Sequence, residues 1–375
     1  MGNAPEPAAA ASASSPPPPP HAAAGARRRT LLLLGALLAV AAAVAVAVAV
    51  AVAAYILPGP RPGGTGPAGA TAPAAAPAAA TATAASPTTA ASPTPTPEPP
   101  AVALNILLIG SDSRVNERAA AARGTTSDQR GDALVLIHLP ADRKSVYGIS
   151  IMRDLWVDIP GHGTAKVNAA LELGGLPLMT RTVEALLGAH IDHTVMLDFQ
   201  GFAAMTDALG GVDVNIKQSF TATADDKVHF PAGVNHLNGL QALAFVRERH
   251  AFTDGDYQRV RNQQTFLKAM MVKLASEGSL ADRGTVRKLI KTVLPHVTLD
   301  ASFTLESLEN LAFGLRSTPP GRGVFFTLPT AGTGTSRDGQ SIVLKDPAAT
   351  AALSAALRSG TLPGYVAANN LQNGN

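Results

Sequence analysis

The chain has 375 residues, 46% of them hydrophobic and 15% charged, with a formal charge of +3. That charge is too small to claim a nucleic-acid partner. With no cysteine, disulfide and thiol chemistry are excluded.

Residues 1–29 are mostly Ala, Pro and Ser and end in Arg27-Arg28-Arg29. Such a segment buries too little apolar surface to fold, which predicts a disordered tail. Leu31 to Leu57 is an uncharged apolar run, longer than the ~20 residues a helix needs to cross a bilayer. Residues 30–57 are therefore expected to form one transmembrane helix, with the arginines holding the amino end in the cytoplasm. Ala51-Val52-Ala53 resembles a signal-peptide cleavage site, but the apolar run exceeds the ~7–15 residues of such a peptide, so an uncleaved anchor is expected. Residues 58–100, rich in Pro, Ala and Thr, read as an extended spacer.

From Ala101 the composition becomes globular. VALNILLIGSD, ALVLIHLP and SVYGISIM are runs of buried-strand type, each ending in polar residues. LPLMTRTVEALLGAH reads as a helix, HTVMLDF as a strand, FQGFAAMTDALGG as a helix stopped by glycine, and GVDVNI as a short strand. FVRER alternates and predicts a strand or strand exit, on which Arg247 and Arg249 point the same way. A helix is expected from about Asp256, with Asp256, Arg259 and Gln263 on one face and Val260, Leu267, Met271 and Leu274 on the other. Further helices are expected over Thr285–Leu294, Leu305–Leu315 and Pro347–Arg358, with a strand in GVFFTLP. Alternating strands and helices predict an α/β fold, its sheet covered on both faces.

Polar residues gather at the strand ends: Asp112 and Arg114, Arg130 and Asp132, Arg153 and Asp154. In open α/β sheets ligands sit outside strand ends. Together with Arg247, Arg249, Arg259 and Arg261 these pairs predict a phosphate site, because guanidinium offers a permanently charged fork of donors. Carboxylates among them suit a divalent ion. Asp132 and Asp154 are candidates for a base. Crowding of like charge predicts that alanine at these arginines leaves the free fold intact or slightly more stable. GHGTAKVN lacks P-loop spacing, and the His190–His193 segment reads as a polar loop rather than a metal site.

Six blocks in order carry a resemblance: NILLIGSDSR, RGDALVLIHL, ISIMRDLWVDIPGHGTAKVNAA, IDHTVMLDFQGFAAMTDALGGVDV, HLNGLQALAFVRERH and GDYQRVRNQQTFLKAM. Over Leu104 to Leu274 the chain resembles the LytR-CpsA-Psr family of cell-wall ligases. The resemblance implies a central mixed sheet with helices on both faces, a catalytic domain over residues 101–275 and an extension over 276–362, leaving 363–375 as a disordered tail. It implies a membrane-anchored, extracytoplasmic phosphotransferase that moves a glycopolymer from a polyprenyl-pyrophosphate carrier to peptidoglycan through a phosphodiester bond. Arg153, Arg247, Arg249, Arg259 and Gln263 match the positions that hold the pyrophosphate, and Asp256 the acid that fixes the arginines. Arg114, Arg130 and Lys166 fall to the polar rim, and Asp112 and Asp132 to the magnesium ion. Arg153, Asp154 and Arg259 are the expected catalytic residues. Arg261-Asn262 departs from the family pattern by moving the second helical arginine one position, about 100° of rotation. A pyrophosphate hydrolase and a membrane-bound transcriptional attenuator are the alternatives; the attenuator lacks a helix-turn-helix in the 29 residues before the anchor.

Overall fold

The computed structural model describes residues 102–111, 121–125, 130–223, 227–276, 293–314 and 323–374, with 2, 287, 290 and 291 singly. The expected membrane helix and spacer, Asp112, Arg114 and most of the helix expected over Thr285–Leu294 lie outside the described residues. Among the described residues no helix is long and apolar enough to cross a membrane.

In chain order the elements are β1 (Leu104–Ser111), β2 (Gly131–Leu139), β3 (Val146–Ile151), β4 (Trp156–Ile159), β5 (Gly163–Lys166) and α1 (Ala169–Leu187). Then come β6 (His193–Asp198), α2 (Phe199–Ala208), β7 (Val212–Ile216), β8 (Phe220–Thr221), β9 (His229–Phe230) and β10 (Gly233–Leu237). The helices α3 (Gly239–Arg247) and α4 (Asp256–Ser276) precede β11 (Val297–Leu299) and α5 (Leu305–Gly314). The remainder is β12 (Gly323–Thr327), β13 (Thr330–Thr335), β14 (Ser341–Lys345), α6 (Pro347–Ser359) and α7 (Leu362–Ala368).

Six strands form the central mixed sheet in the order β11-β6-β1-β2-β3-β12. The β1–β6 and β3–β12 pairs are parallel and the other three pairs antiparallel. Successive side chains point to opposite faces, so Ile106 and Leu108 join one apolar cluster while Leu107 and Ile109 join the other. The first cluster is closed by Phe202 of α2, Phe245 of α3 and Phe266 of α4. The second is closed by Met179 and Val183 of α1, Leu353 of α6 and Val366 of α7. Helices on both faces explain why these strands read as unbroken apolar runs.

Three expectations change. FVRER does not form a strand: α3 runs to Arg247 and leaves through extended Glu248 (φ −66°, ψ 131°). Asn238 and Gln241 form a reciprocal cap at its start, and Ala242, Phe245 and Val246 bury at helical spacing. That start signal outweighs a short alternation. Residues 363–374 are not a loose tail, since α7 covers their first part, and Val366 and Leu371 are buried in the second cluster together with Leu362. Leu362 and Val366 stand four residues apart on α7, about one helical turn. Finally, α1 begins at Ala169 rather than near Leu176 and kinks at Gly174-Gly175. Gly175 has φ +60°, and a Cβ there would run into the Ala121 carbonyl. The kink lets the first turn, with Glu172, reach the end of the sheet.

Candidate active site

At the end of the sheet where β1, β3, β6 and β12 finish and β2 starts, the chain collects its charged residues. Asp132 opens β2 and is 6% exposed. Arg153 follows β3 in a turn pinned from two sides: its carbonyl accepts from the Asn168 N–H (3.2 Å), and the next carbonyl, of Asp154, accepts from the Val343 N–H of β14 (2.9 Å). From this turn Arg153 Nη1 donates to Asp132 Oδ1 at 2.9 Å. Its Nε lies 3.3 Å from Asp256 Oδ2 and 3.4 Å from Asp154 Oδ2. Lys166 Nζ, at the end of β5, takes the other Asp154 oxygen at 3.2 Å.

Asp256 stands in the first turn of α4, where a carboxylate is favoured by the helix dipole. It gathers three guanidinium groups: Arg259 Nη2 at 2.8 Å, Arg153 Nε at 3.3 Å and Arg249 Nη1 at 3.5 Å. Burial alone would raise its pKa, but Arg259, Arg153 and Arg249 outweigh that and hold it below the usual value. Burial likewise works against charge on Arg153, yet Asp132, Asp256 and Asp154 raise its pKa above the ordinary arginine value. Arg259, 3% exposed, is pushed down to about 10 by burial and by Arg153, against the pull of Asp256 and Asp132. At neutral pH both arginines stay charged. The cluster is thus a lattice of alternating charge, not a crowd of like charge. Alanine at Arg259 is therefore expected to destabilise the free protein, contrary to the reading from sequence.

Beside the lattice opens a cleft of about 980 Å³, lined by Arg130, Asp132, Arg153, Asp154, Lys166, Arg249 and Asp256. Asn168, Ala169 and Glu172 of the α1 start and Gln340 and Ser341 before and in β14 complete the lining. Arg153 Nε and Arg259 Nε are buried without a hydrogen-bond partner. Arg153 Nε faces the Asp256 and Asp154 carboxylates at ion-pair distance, so the cations open to an anion from outside are those on the cleft wall, Arg130, Arg153, Lys166 and Arg249.

The structure brings most of the expected residues together, but not all. Arg247, expected beside Arg249, stacks over the Phe199 ring at 4.9 Å, and Gln263 lies below the cleft with its amide donating to the Val246 carbonyl at 3.5 Å. Arg259 acts on the cleft through Asp256. Arg130 sits at the rim, 3.2 Å from Glu172. Arg261 is turned away, paired with Asp254 and with Gln258. Asp112 and Arg114 lie outside the described residues.

Glu248 was not singled out from sequence as a site residue, and its role is clear in the fold. Its buried carboxylate accepts from the N–H groups of Thr223 (2.5 Å), Arg249 (2.9 Å) and Ala251 (2.9 Å), and from the Thr223 hydroxyl. It ties down the loop that carries Arg249. Its position between two arginines hid this, because the sequence suggests a surface ion pair. The β13–β14 hairpin also went unread, since TAGTGT carries no apolar alternation.

Among the described residues no group of three or more His, Asp or Glu could hold a metal ion. Asp132 nevertheless offers a hard carboxylate oxygen on the cleft wall, the donor type magnesium accepts alongside water and phosphate oxygens.

The chain is 36% identical over 205 residues to the polyisoprenyl-teichoic acid–peptidoglycan teichoic acid transferase TagU of Bacillus mycoides (strain KBAB4), covering 54% of this chain and 63% of the relative. It is 29% identical over 280 residues to the cell wall biosynthesis protein LcpA of Corynebacterium glutamicum, covering 65% and 53%. The chain thus spans less than two thirds of the length of either relative. Its fold matches the crystal structure of B. subtilis TagV with a TM-score of 0.55 at 23% identity, over 70% of this chain and 98% of that one. Residues 75–358, well over half of the chain, match the LytR_cpsA_psr family, and the protein belongs to that family.

Proposed function

We propose that this protein is a membrane-anchored, extracytoplasmic phosphotransferase that moves a glycopolymer from a polyprenyl-pyrophosphate carrier to peptidoglycan. The observation that carries the reading is the set of three arginines, Arg153, Arg249 and Arg259, gathered on Asp256 beside an open cleft that Arg153 and Arg249 line. The similarity to TagU, a polyisoprenyl-teichoic acid–peptidoglycan teichoic acid transferase, supports the substrate class.

In this reading Arg153 and Arg249 hold the oxygens of the diphosphate, with Arg259 setting the field behind Asp256. The acceptor hydroxyl attacks the phosphorus that bears the glycan. A new P–O bond forms, the bond to the polyprenyl phosphate breaks, and the electron pair leaves with that phosphate. Asp154, on the cleft wall between Lys166 and Arg153, is the candidate to receive the hydroxyl proton. Phosphoryl transfer depends mainly on positioning and charge neutralisation, which this lattice of charges supplies. Magnesium is part of the proposal: held by Asp132 and the expected Asp112, it would neutralise diphosphate oxygens as a Lewis acid.

The full-length protein in detergent, incubated with a lipid-diphosphate oligosaccharide and peptidoglycan fragments, should yield glycan joined to peptidoglycan by a phosphodiester, read by mass spectrometry. Free sugar phosphate alone would make it a hydrolase, and an untouched donor would overturn the reading.

A further inference from the structure

A second cleft of about 680 Å³ lies along the outer side of α4, away from the charged lattice. Lys217, just after β7, and Lys268 of α4 face into it, with Phe220 and Phe252 as apolar wall and the amides of Asn215 and Gln218 at its edge. On α4 the lining positions Arg261, Thr265, Lys268 and Val272 recur at three- and four-residue intervals, one continuous stripe. It extends about 16 Å at 1.5 Å per residue.

The charges of this cleft are unevenly satisfied. Arg261 is held by Asp254 and Gln258. Asp213, the carboxylate on the lining, is taken by His236 Nδ1 at 2.6 Å. Lys217 and Lys268 have no ion-pair partner among the described residues. They are close enough to repel: Lys268 is lowered from the ordinary lysine pKa first by burial and then by Lys217. Two like charges sharing a half-enclosed cleft raise the energy of the empty protein, and an anion between them relieves that cost. The loop between α3 and α4 puts Arg249 in the first cleft and Phe252 in the second, so both clefts flank one loop.

We propose that the second cleft is a separate binding site for an anionic glycan, with Lys217 and Lys268 taking its phosphate or carboxylate groups and the half-buried Phe252 lying against its sugar rings. The choice of a glycan rests on the proposed transferase function, whereas the anion rests on the two lysines alone. An anionic glycan reaches such an enzyme from two sources, the phosphate-bearing polymer of the donor or the carboxylate-bearing acceptor wall. Held along α4, either would be aligned with the first cleft by contacts distant from the reacting phosphorus.

The test uses the full-length protein in detergent and three probes by calorimetry: an oligosaccharide carrying glycerol-phosphate units, a soluble peptidoglycan fragment and inorganic pyrophosphate. Lys217→Ala and Lys268→Ala should each weaken one of the two glycan probes about tenfold, the loss of one charge-assisted contact. Lys268→Arg should retain binding, and pyrophosphate affinity should not change in any of the three variants. Loss confined to the glycerol-phosphate arm assigns the site to the donor polymer, and loss confined to the peptidoglycan arm assigns it to the acceptor. If neither glycan binds, or if the double alanine variant binds as tightly as the parent, the site falls. Lysine-dependent glycan binding without any pyrophosphate binding would uphold the second cleft and remove the reading of the first.

Discussion

The two ends of the central sheet both bury polar groups, and they do so under opposite rules. At the end away from the cleft, His138 Nδ1 donates to Asn105 Oδ1 at 2.8 Å. Asn105 in turn gives its backbone N–H to Asp192 Oδ2 and its amide to the His190 carbonyl, both at 2.7 Å. Arg143 Nη1 is spent on the Leu139 and Pro140 carbonyls. At the cleft end, carboxylates and guanidinium groups are just as close, but Arg153, Arg249, Asp132, Asp154 and Asp256 also face an open cleft. A closed network serves the fold, whereas a network that opens on a cleft leaves charged groups that a ligand can complete. The contrast separates structural polarity from functional polarity within one sheet.

The largest effect should come from removing the hub of the open end. Asp256→Ala leaves Arg153 and Arg259 buried with one carboxylate fewer and is expected to cost about 3 kcal/mol, the scale of breaking a buried ion pair, read from urea melts. A loss below 1 kcal/mol would mean that the cluster is solvated and the contrast false. On ligand binding, Arg153→Ala should weaken a polyprenyl diphosphate about ten- to a hundredfold, from roughly 1.5–3 kcal/mol per charged contact, and Arg259→Ala, acting through Asp256, about tenfold. Lysine at Arg259 should fail to restore binding, since a compact, strongly hydrated ammonium cannot replace the buried guanidinium contact with Asp256.

The closed end makes a prediction in pH. Burial first, and Arg143 second, lower the His138 pKa from 6.5 to about 4, against the pull of Asp192. Between these values the unfolded chain binds a proton that the folded one refuses, so stability is full above pH 6.5 and falls as pH drops towards 4. The total is up to about 3 kcal/mol at 1.36 kcal/mol per pKa unit. His138→Gln should flatten the stability profile in this window. An unchanged slope in that variant would place the titration elsewhere.

Glu248 lies between the two cases: a closed cluster that serves the open one. Glu248→Ala leaves the Arg249, Ala251 and Thr223 N–H groups without their acceptor and should cost about 2 kcal/mol. Diphosphate binding should weaken by less than in Arg259→Ala, because Arg249 is loosened rather than removed. Burial alone would raise the Glu248 pKa, but the hydrogen bonds from Thr223 and Ala251 hold it below 4.5. Its contribution is therefore present above pH 4.5 and lost as pH falls through the lower folded value. A variant with parental stability at pH 7 would show that the loop is held by other contacts.

What sequence revealed follows the same division. Strands β1, β2 and β3 were legible because both faces are buried and the runs are unbroken, and Asp132, Arg153 and Asp154 were legible because they punctuate those runs. Asp256 and Arg259 could be placed on one face since helix α4 keeps its period. Arg247 and Gln263, expected at the site, do not line the cleft, for a different reason. Arg247 was read from a local alternation that the Asn238 cap overrides, and Gln263 shares a face with Arg259 yet lies one turn deeper, against the Val246 carbonyl. The hairpin residues Gln340 and Ser341 reach the cleft through pairings that have no periodic signature. Register with distant strands decides them.

The smallest predicted effect is the most discriminating. Arg261 lies two residues from Arg259 on α4, and a two-residue step turns a helix by about 200°. Its partners are Asp254 and Gln258, and its side chain is 38% exposed. An exposed pair of this kind is worth about 0–1 kcal/mol, so Arg261→Ala should barely alter stability. Diphosphate affinity should change by less than about threefold, equivalent to under ~0.7 kcal/mol, because Arg261 contributes no atom to the cleft where Arg153 and Arg249 stand. Measured beside Arg259→Ala in the same buffer, the pair holds helix, net charge change and residue type constant and varies only the direction of the side chain. A loss at Arg261 equal to that at Arg259 would show that the field of the whole basic segment attracts the ligand, and the lattice on Asp256 would have no special part in binding it.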